Sequence, residues 1–132
     1  MKLVVAIPDR LSELVQKGEV QPRYYNPGDL FDEVHIVTTN DDRPDPAAVR
    51  PMVGRARLGL HNLPEDSGMP HRRPEWLHPW RLRRWARPGV DLARRIAPDL
   101  VRCHGADWNI VLAREIRRRL RVRYAVSLHI NP

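Results

Sequence analysis

Between Pro98 and His129 three patterns follow one another with little room between them: a short apolar run, a helical stripe and a second apolar run. Asp99-Leu100-Val101-Arg102-Cys103-His104-Gly105 reads as a strand that ends in polar residues and glycine. Asp107 then stands where an N-cap belongs, its carboxylate expected to accept a free backbone N–H. Beyond it Ile110, Ala113, Ile116 and Leu120 share one stripe, and Arg114, Arg117, Arg118 and Arg121 fall largely on the other side. Residues 123–129 read as a further buried strand. Strands joined by a helix-length crossover lie parallel, and the crossover is right-handed. This third of the chain therefore sets the class as α/β.

The rest of the sequence fits that class. Residues 2–7 form a compact apolar run closed by Pro8-Asp9, as a parallel strand covered on both faces requires. Leu11 to Val15 offers a short helical turn, kept short by Gly18, Pro22, Pro27 and Gly28. Residues 33–38 are β-branched enough for a second strand, residues 40–46 form a polar loop, and residues 57–63 alternate weakly as a third strand. Residues 64–79 read as a long loop. A basic stretch from Trp80 to Arg87 follows. It is broken at Pro88-Gly89, where Pro88 suits the first turn of a new helix reaching about Ala97. The expected architecture is a Rossmann-like parallel sheet in the order 3-2-1-4-5, one domain over residues 1–132.

Composition narrows the function by exclusion. The longest apolar run falls well short of the roughly 18 residues of a membrane span. The N-terminal run is also too short for a signal peptide. One cysteine, Cys103, supports neither a disulfide framework nor a Cys-x-x-Cys metal site, and it reads as a buried thiol. The six histidines have no metal-ligand spacing, so no metal is expected, and a reducing, cytoplasmic setting follows. The formal charge is +7 with a pI near 10.7, almost all of it from arginine, since only Lys2 and Lys17 are lysines. Two readings stay open: anionic partners, or the arginine bias of a GC-rich genome. Gly-x-Gly-x-x-Gly, a P-loop and a Gly-x-Ser-x-Gly elbow are all absent, which removes the classes that depend on them.

In a doubly wound sheet, ligands bind beyond the carboxyl ends of the strands. The residues there are Pro8-Asp9-Arg10, Thr38-Thr39-Asn40, Arg102-Cys103-His104-Gly105 and Ser127-Leu128-His129. The stretches Ala97-Pro98-Asp99-Leu100-Val101-Arg102-Cys103-His104-Gly105 and Tyr124-Ala125-Val126-Ser127-Leu128-His129, in that order, resemble the N-terminal domain of family 4 glycosyltransferases. Lys17-Gly18-Glu19 and Arg23-Tyr24-Tyr25-Asn26-Pro27 resemble a subgroup of that family. The resemblance implies a GT-B fold, in which this chain is the acceptor-side half and a second Rossmann-like half, absent here, holds the nucleotide sugar. It also implies sugar transfer to an acceptor hydroxyl, retaining and metal-independent, with the nucleotide sugar as co-substrate and no other cofactor. The half alone is expected to be inactive, and the second half comes from the same or a partner chain. Many relatives carry a Gly-Gly pair after the first strand, where this chain offers only Gly18.

The resemblance assigns His129 as the catalytic residue, facing the donor sugar, where an imidazole hydrogen bond meets developing charge. The alternative is a histidine packed at a strand end. Arg102 and His104 are the next candidates, Arg102 as a fork for phosphate or carboxylate, or else as a surface ion pair. Lys17, Gly18 and Glu19 line the cleft in one reading; in the other, Gly18 simply ends a helix. Tyr24, Tyr25 and Asn26 bind a sugar acceptor or pack on the sheet.

Residues 72–85 mix arginine and tryptophan, which suits a lipid-linked acceptor and peripheral contact at the inner membrane face. The same composition also suits a loop anchored by its tryptophans. Nucleic acid is not the expected partner, though a non-catalytic basic module that binds it is the rival reading.

Overall fold

Among the described residues five strands form a single sheet: β1 (Lys2–Ile7), β2 (Glu33–Thr38), β3 (Arg57–Asn62), β4 (Leu100–His104) and β5 (Arg123–Ser127). Their order is β3-β2-β1-β4-β5 and every neighbouring pair is parallel. The helices are α1 (Leu11–Gln16), α2 (Pro46–Val49), α3 (Pro79–Ile96) and α4 (Trp108–Leu120). The computed structural model describes residues 1–66, 79–105 and 107–128. The fold is the α/β, Rossmann-like parallel sheet that the sequence calls for, in the order expected.

β1 is central, and Leu3 through Ile7 are each at most 1% exposed, which is why this segment is a continuous apolar run. Alternate residues feed two cores. Val4, Ala6, Val101 and Cys103 pack under Val90, Ala93, Leu112 and Ile116 of α3 and α4. Leu3, Val5, Val34 and Ile36 pack under Leu11, Tyr25, Val49 and Met52 on the opposite face. Cys103 is buried, as expected of it.

Three local expectations need correction. Pro88 does not begin a helix: α3 runs unbroken from Pro79 to Ile96 with Pro88 inside it. The buried stripe Ala86, Val90, Ala93 and Ile96 holds both halves on the sheet, and that packing outweighs the single backbone hydrogen bond a proline removes. Residues 123–127 form a strand, but not a buried one. β5 is the sheet edge; Ala125 is exposed and Val126 is 39% exposed, because only β4 flanks it. Asp107 does occupy the N-cap of α4, yet its side chain makes no capping hydrogen bond. The backbone there (φ −95°, ψ −133°) lies outside the extended geometry that aims a capping side chain at the first turn.

Asp45 does cap, accepting from Ala47 N–H at 3.0 Å with Pro46 in the first turn, so the segment after the polar loop is helical. No helix among the described residues is long and apolar enough to cross a membrane.

Candidate functional site

The sheet changes winding direction between β1 and β4, and the residues leaving those strands meet there. Gly105 follows β4 with φ +82°, a conformation L side chains rarely adopt, and its N–H donates to Ser127 O at 3.0 Å. Among the described residues a Cβ at Gly105 would meet nothing within 4 Å. α4 begins just beyond it, and its positive helix end lies at the carboxyl edge of the sheet.

Four of the residues singled out in the sequence come together beside it. Tyr24 stands edge-on to Tyr25 at 5.0 Å between ring centroids. Tyr25 in turn stands edge-on to His104 at 5.6 Å, and Tyr24 lies 6.2 Å from His104. Arg102 points to the same face of the sheet as Val5, beside which it is paired, and its Nε donates to Ser127 Oγ at 2.9 Å. Burial pushes the Tyr25 hydroxyl well above its ordinary range, with Asp9 and Tyr24 adding to the effect and Arg102 opposing it. Tyr25 therefore stays a neutral hydroxyl at any physiological pH. Tyr24 is half-buried and Arg102 half-buried, while Tyr25 and His104 are buried beneath them. A ligand at this edge would meet Tyr24 and Arg102 first, with the Tyr25–His104 pair as their support.

The other candidates stand elsewhere. Asn26 is fully buried, and its amide is committed to Phe31 O, Phe31 N–H and Val53 O at 2.9–3.0 Å. It shapes the turn that presents Tyr24 and Tyr25. Lys17, Gly18 and Glu19 form the end of α1. Gly18 adopts φ +69°, with Gly18 N–H donating to Val15 O and Glu19 N–H to Leu14 O. That is the paired hydrogen-bond pattern of a helix stopped by glycine, the second of the two readings given for Gly18. His129 lies outside the described residues, as do residues 72–78 of the arginine–tryptophan stretch.

A polar scaffold that the sequence hid holds this edge together. Thr39 Oγ1 donates to Asn109 Oδ1 at 3.0 Å, and Asn109 Nδ2 donates to His104 O at 2.7 Å. Asn40 Nδ2 bridges Pro8 O and Asp9 O, and Asn62 Nδ2 reaches Thr38 Oγ1 and Asp42 O. Asn109 lies in the first turn of α4 and Asn62 is the last residue of β3, and no local pattern marks either as part of this scaffold. Among the described residues no group of three or more His, Cys, Asp or Glu is placed to hold a metal ion.

Fold and edge together define a doubly wound α/β domain with a crossing at the carboxyl ends of β1 and β4. No family model matches the chain, and no curated protein matches it. Among solved structures it is similar to the C-terminal domain of a hydrogenase from Pyrococcus furiosus. The identity is 13% and the TM-score 0.47, over 96% of this chain and 89% of that one. A second structure of that domain gives the same identity and TM-score over 98% and 90%. Likeness at that level carries no argument for activity, and the fold class rests on the sheet itself.

Proposed function

We propose that the chain is the acceptor-side, N-terminal half of a GT-B glycosyltransferase, which passes a sugar from a nucleotide-sugar donor to an acceptor hydroxyl without a metal. One observation supports this reading above the rest. Tyr24, Tyr25, Arg102 and His104, drawn from segments some 80 residues apart, share one patch at the winding change of the sheet. The half-buried ring of Tyr24 and the guanidinium of Arg102, backed by Tyr25 and His104, suit a sugar with an anionic neighbour.

In this reading Tyr24 packs on the acceptor and Arg102 draws the donor's phosphates towards the crossing. His129 donates a hydrogen bond to the reacting sugar. The donor's nucleotide is held by a second domain, in the same chain or a partner. The acceptor is a sugar or a lipid-linked sugar, with the enzyme in the cytoplasm at the inner membrane face. Trp80, 64% exposed at the start of the arginine-rich α3, suits that contact.

The test is nucleotide release across a panel of nucleotide sugars, using this chain joined to its donor-binding half. His129→Ala and Arg102→Ala should each lower release with one donor by roughly 100-fold. Release with no donor, together with salt-steep binding of single-stranded nucleic acid, would replace the transferase by a basic binding module.

A further inference from the structure

On the α3–α4 side of the sheet a cavity of about 550 Å³ opens between the ends of β2 and β3, the loop after β2 and the middle of α3. Such a volume holds a compact small molecule. Pro44 and Leu92 give it apolar walls, while His61, Arg43 and Arg95 supply groups able to carry positive charge.

The lining also holds one carboxylate, Asp42, but that group is turned to α1. It accepts from Ser12 N–H at 3.0 Å and from the Ser12 hydroxyl. Arg43 and Arg95 make no ion pair among the described residues, whereas Arg81, Arg94 and Arg118 each face a carboxylate. The cavity thus carries two guanidiniums whose positive charge no described carboxylate offsets, a lining that attracts an anion.

His61 also stands in a hydrogen-bonded chain that commits one of its ring nitrogens. Its Nε2 lies 2.9 Å from His35 Nδ1, and His35 Nε2 lies 2.6 Å from Glu33 Oε1. Glu33 is held by Arg57 at 2.8 Å and flanked by Lys2 at 3.9 Å. With the carboxylate accepting from His35 Nε2–H, His35 Nδ1 accepts from His61 Nε2–H, and His61 Nδ1 is left bare when neutral. One proton from solvent on that nitrogen turns it into a donor. Burial, then His35 and Arg95, lower the His61 pKa, so its imidazole favours the neutral form in the empty cavity, and a bound anion supplies the negative charge that favours protonation.

We propose that this cavity binds a phosphate monoester on a compact apolar or sugar body, gripped by Arg43 and Arg95, with His61 taking up one proton as the anion enters. The site is separate from the crossing between β1 and β4, and it stands or falls independently of sugar transfer.

The test is calorimetric titration of the 132-residue chain with phenyl phosphate, with inorganic phosphate and phenol alongside. Saturable binding of phenyl phosphate is expected, tighter than either of its halves. Arg43→Gln and Arg95→Gln, both at exposed positions, should each weaken it about tenfold. Arg119→Gln, on the far side of α3 and α4, should leave it unchanged. From pH 8 to pH 7, where phenyl phosphate stays largely a dianion (second pKa about 6), binding should strengthen and carry the ionisation enthalpy of the buffer that gives up the proton, and His61→Gln should abolish both. No saturable binding overturns the proposal, as does equal weakening by Arg119→Gln, which would mean diffuse charge rather than a site. Thermal melting of each variant confirms that it is folded.

Discussion

Thr39 and Asn109, 70 residues apart in sequence, share a buried hydrogen bond of 3.0 Å that ties the end of β2 to the first turn of α4. The same asparagine donates to His104 O at 2.7 Å, so one side chain fixes the carboxyl ends of two strands. Asn109→Ala removes the donor to the buried His104 carbonyl and leaves the Thr39 hydroxyl with only its longer bond to Ile7 O at 3.3 Å. A loss of about 2–4 kcal/mol is expected, read as a shift in the urea midpoint. Ser or Gln at this position should recover little, since neither spans both partners. An Asn109→Ala chain of unchanged stability would remove this bond from the account of the site.

Two glycines with similar φ should respond differently to alanine, since Gly54 also has ψ −125°, outside the left-handed helical region. Gly18 has φ +69° and open space around a built Cβ, so Gly18→Ala should lose about 1 kcal/mol from conformation alone. Gly54 has φ +61°, and its Cβ would fall 2.1 Å from Asp29 Oδ1, which accepts from Arg55 N–H at 2.8 Å. Gly54→Ala should therefore cost at least about 2 kcal/mol more than Gly18→Ala, as strain adds to displacement of that carboxylate. Thermal melts of the pair decide it.

Pro88→Ala should stabilise the chain. The exposed proline inside α3 leaves the Arg84 carbonyl without its helical donor, and alanine restores it. The helix gain of about 3 kcal/mol is reduced by the greater freedom of the unfolded chain, leaving a net gain of about 1–2 kcal/mol. Destabilisation instead would show that the proline fits a bend that packing requires.

Acid should loosen the edge through Asp42. Burial raises its pKa, but the hydroxyl and N–H of Ser12, Arg10 and the Leu11 N–H outweigh this, and the net direction is downward. A carboxyl depressed in the folded state adds stability that is complete above its unfolded value of about 3.9 and is lost as pH falls through the folded one. Asp42→Asn should lower stability at neutral pH by about 1–3 kcal/mol and flatten the decline below pH 4. Parallel declines in both proteins would count against the Ser12 contact.

His61 gives a second window nearer neutrality. Burial, then His35 and Arg95, depress its pKa, so the unfolded chain binds the proton more readily. Stability is complete above the unfolded value of about 6.5 and falls as pH drops through that value towards the folded one. His61→Gln should flatten the profile between pH 7 and pH 5 in urea titrations. If the slope is unchanged, the His35–His61 contact is not what sets it.

The sequence by itself determined the sheet and its order. β1 reads as an unbroken apolar run because it is the central strand covered twice. The helical stripe of α4 shows through because Ala113 and Ile116 face the sheet while its arginines do not. These are local periodicities, and each is dictated by which side of a residue meets water. What only the tertiary structure decided is long-range. Packing of Ala86 and Val90 carries α3 through Pro88, against the local rule for proline. Edge position exposes β5, whose composition matches that of a buried strand. The meeting of Tyr24 and Tyr25 with Arg102 and His104, and of His35 with His61, depends on strand register and on turns far apart in the chain. No local pattern encodes such meetings, because the energy that fixes them is shared among residues that touch only once the sheet has formed.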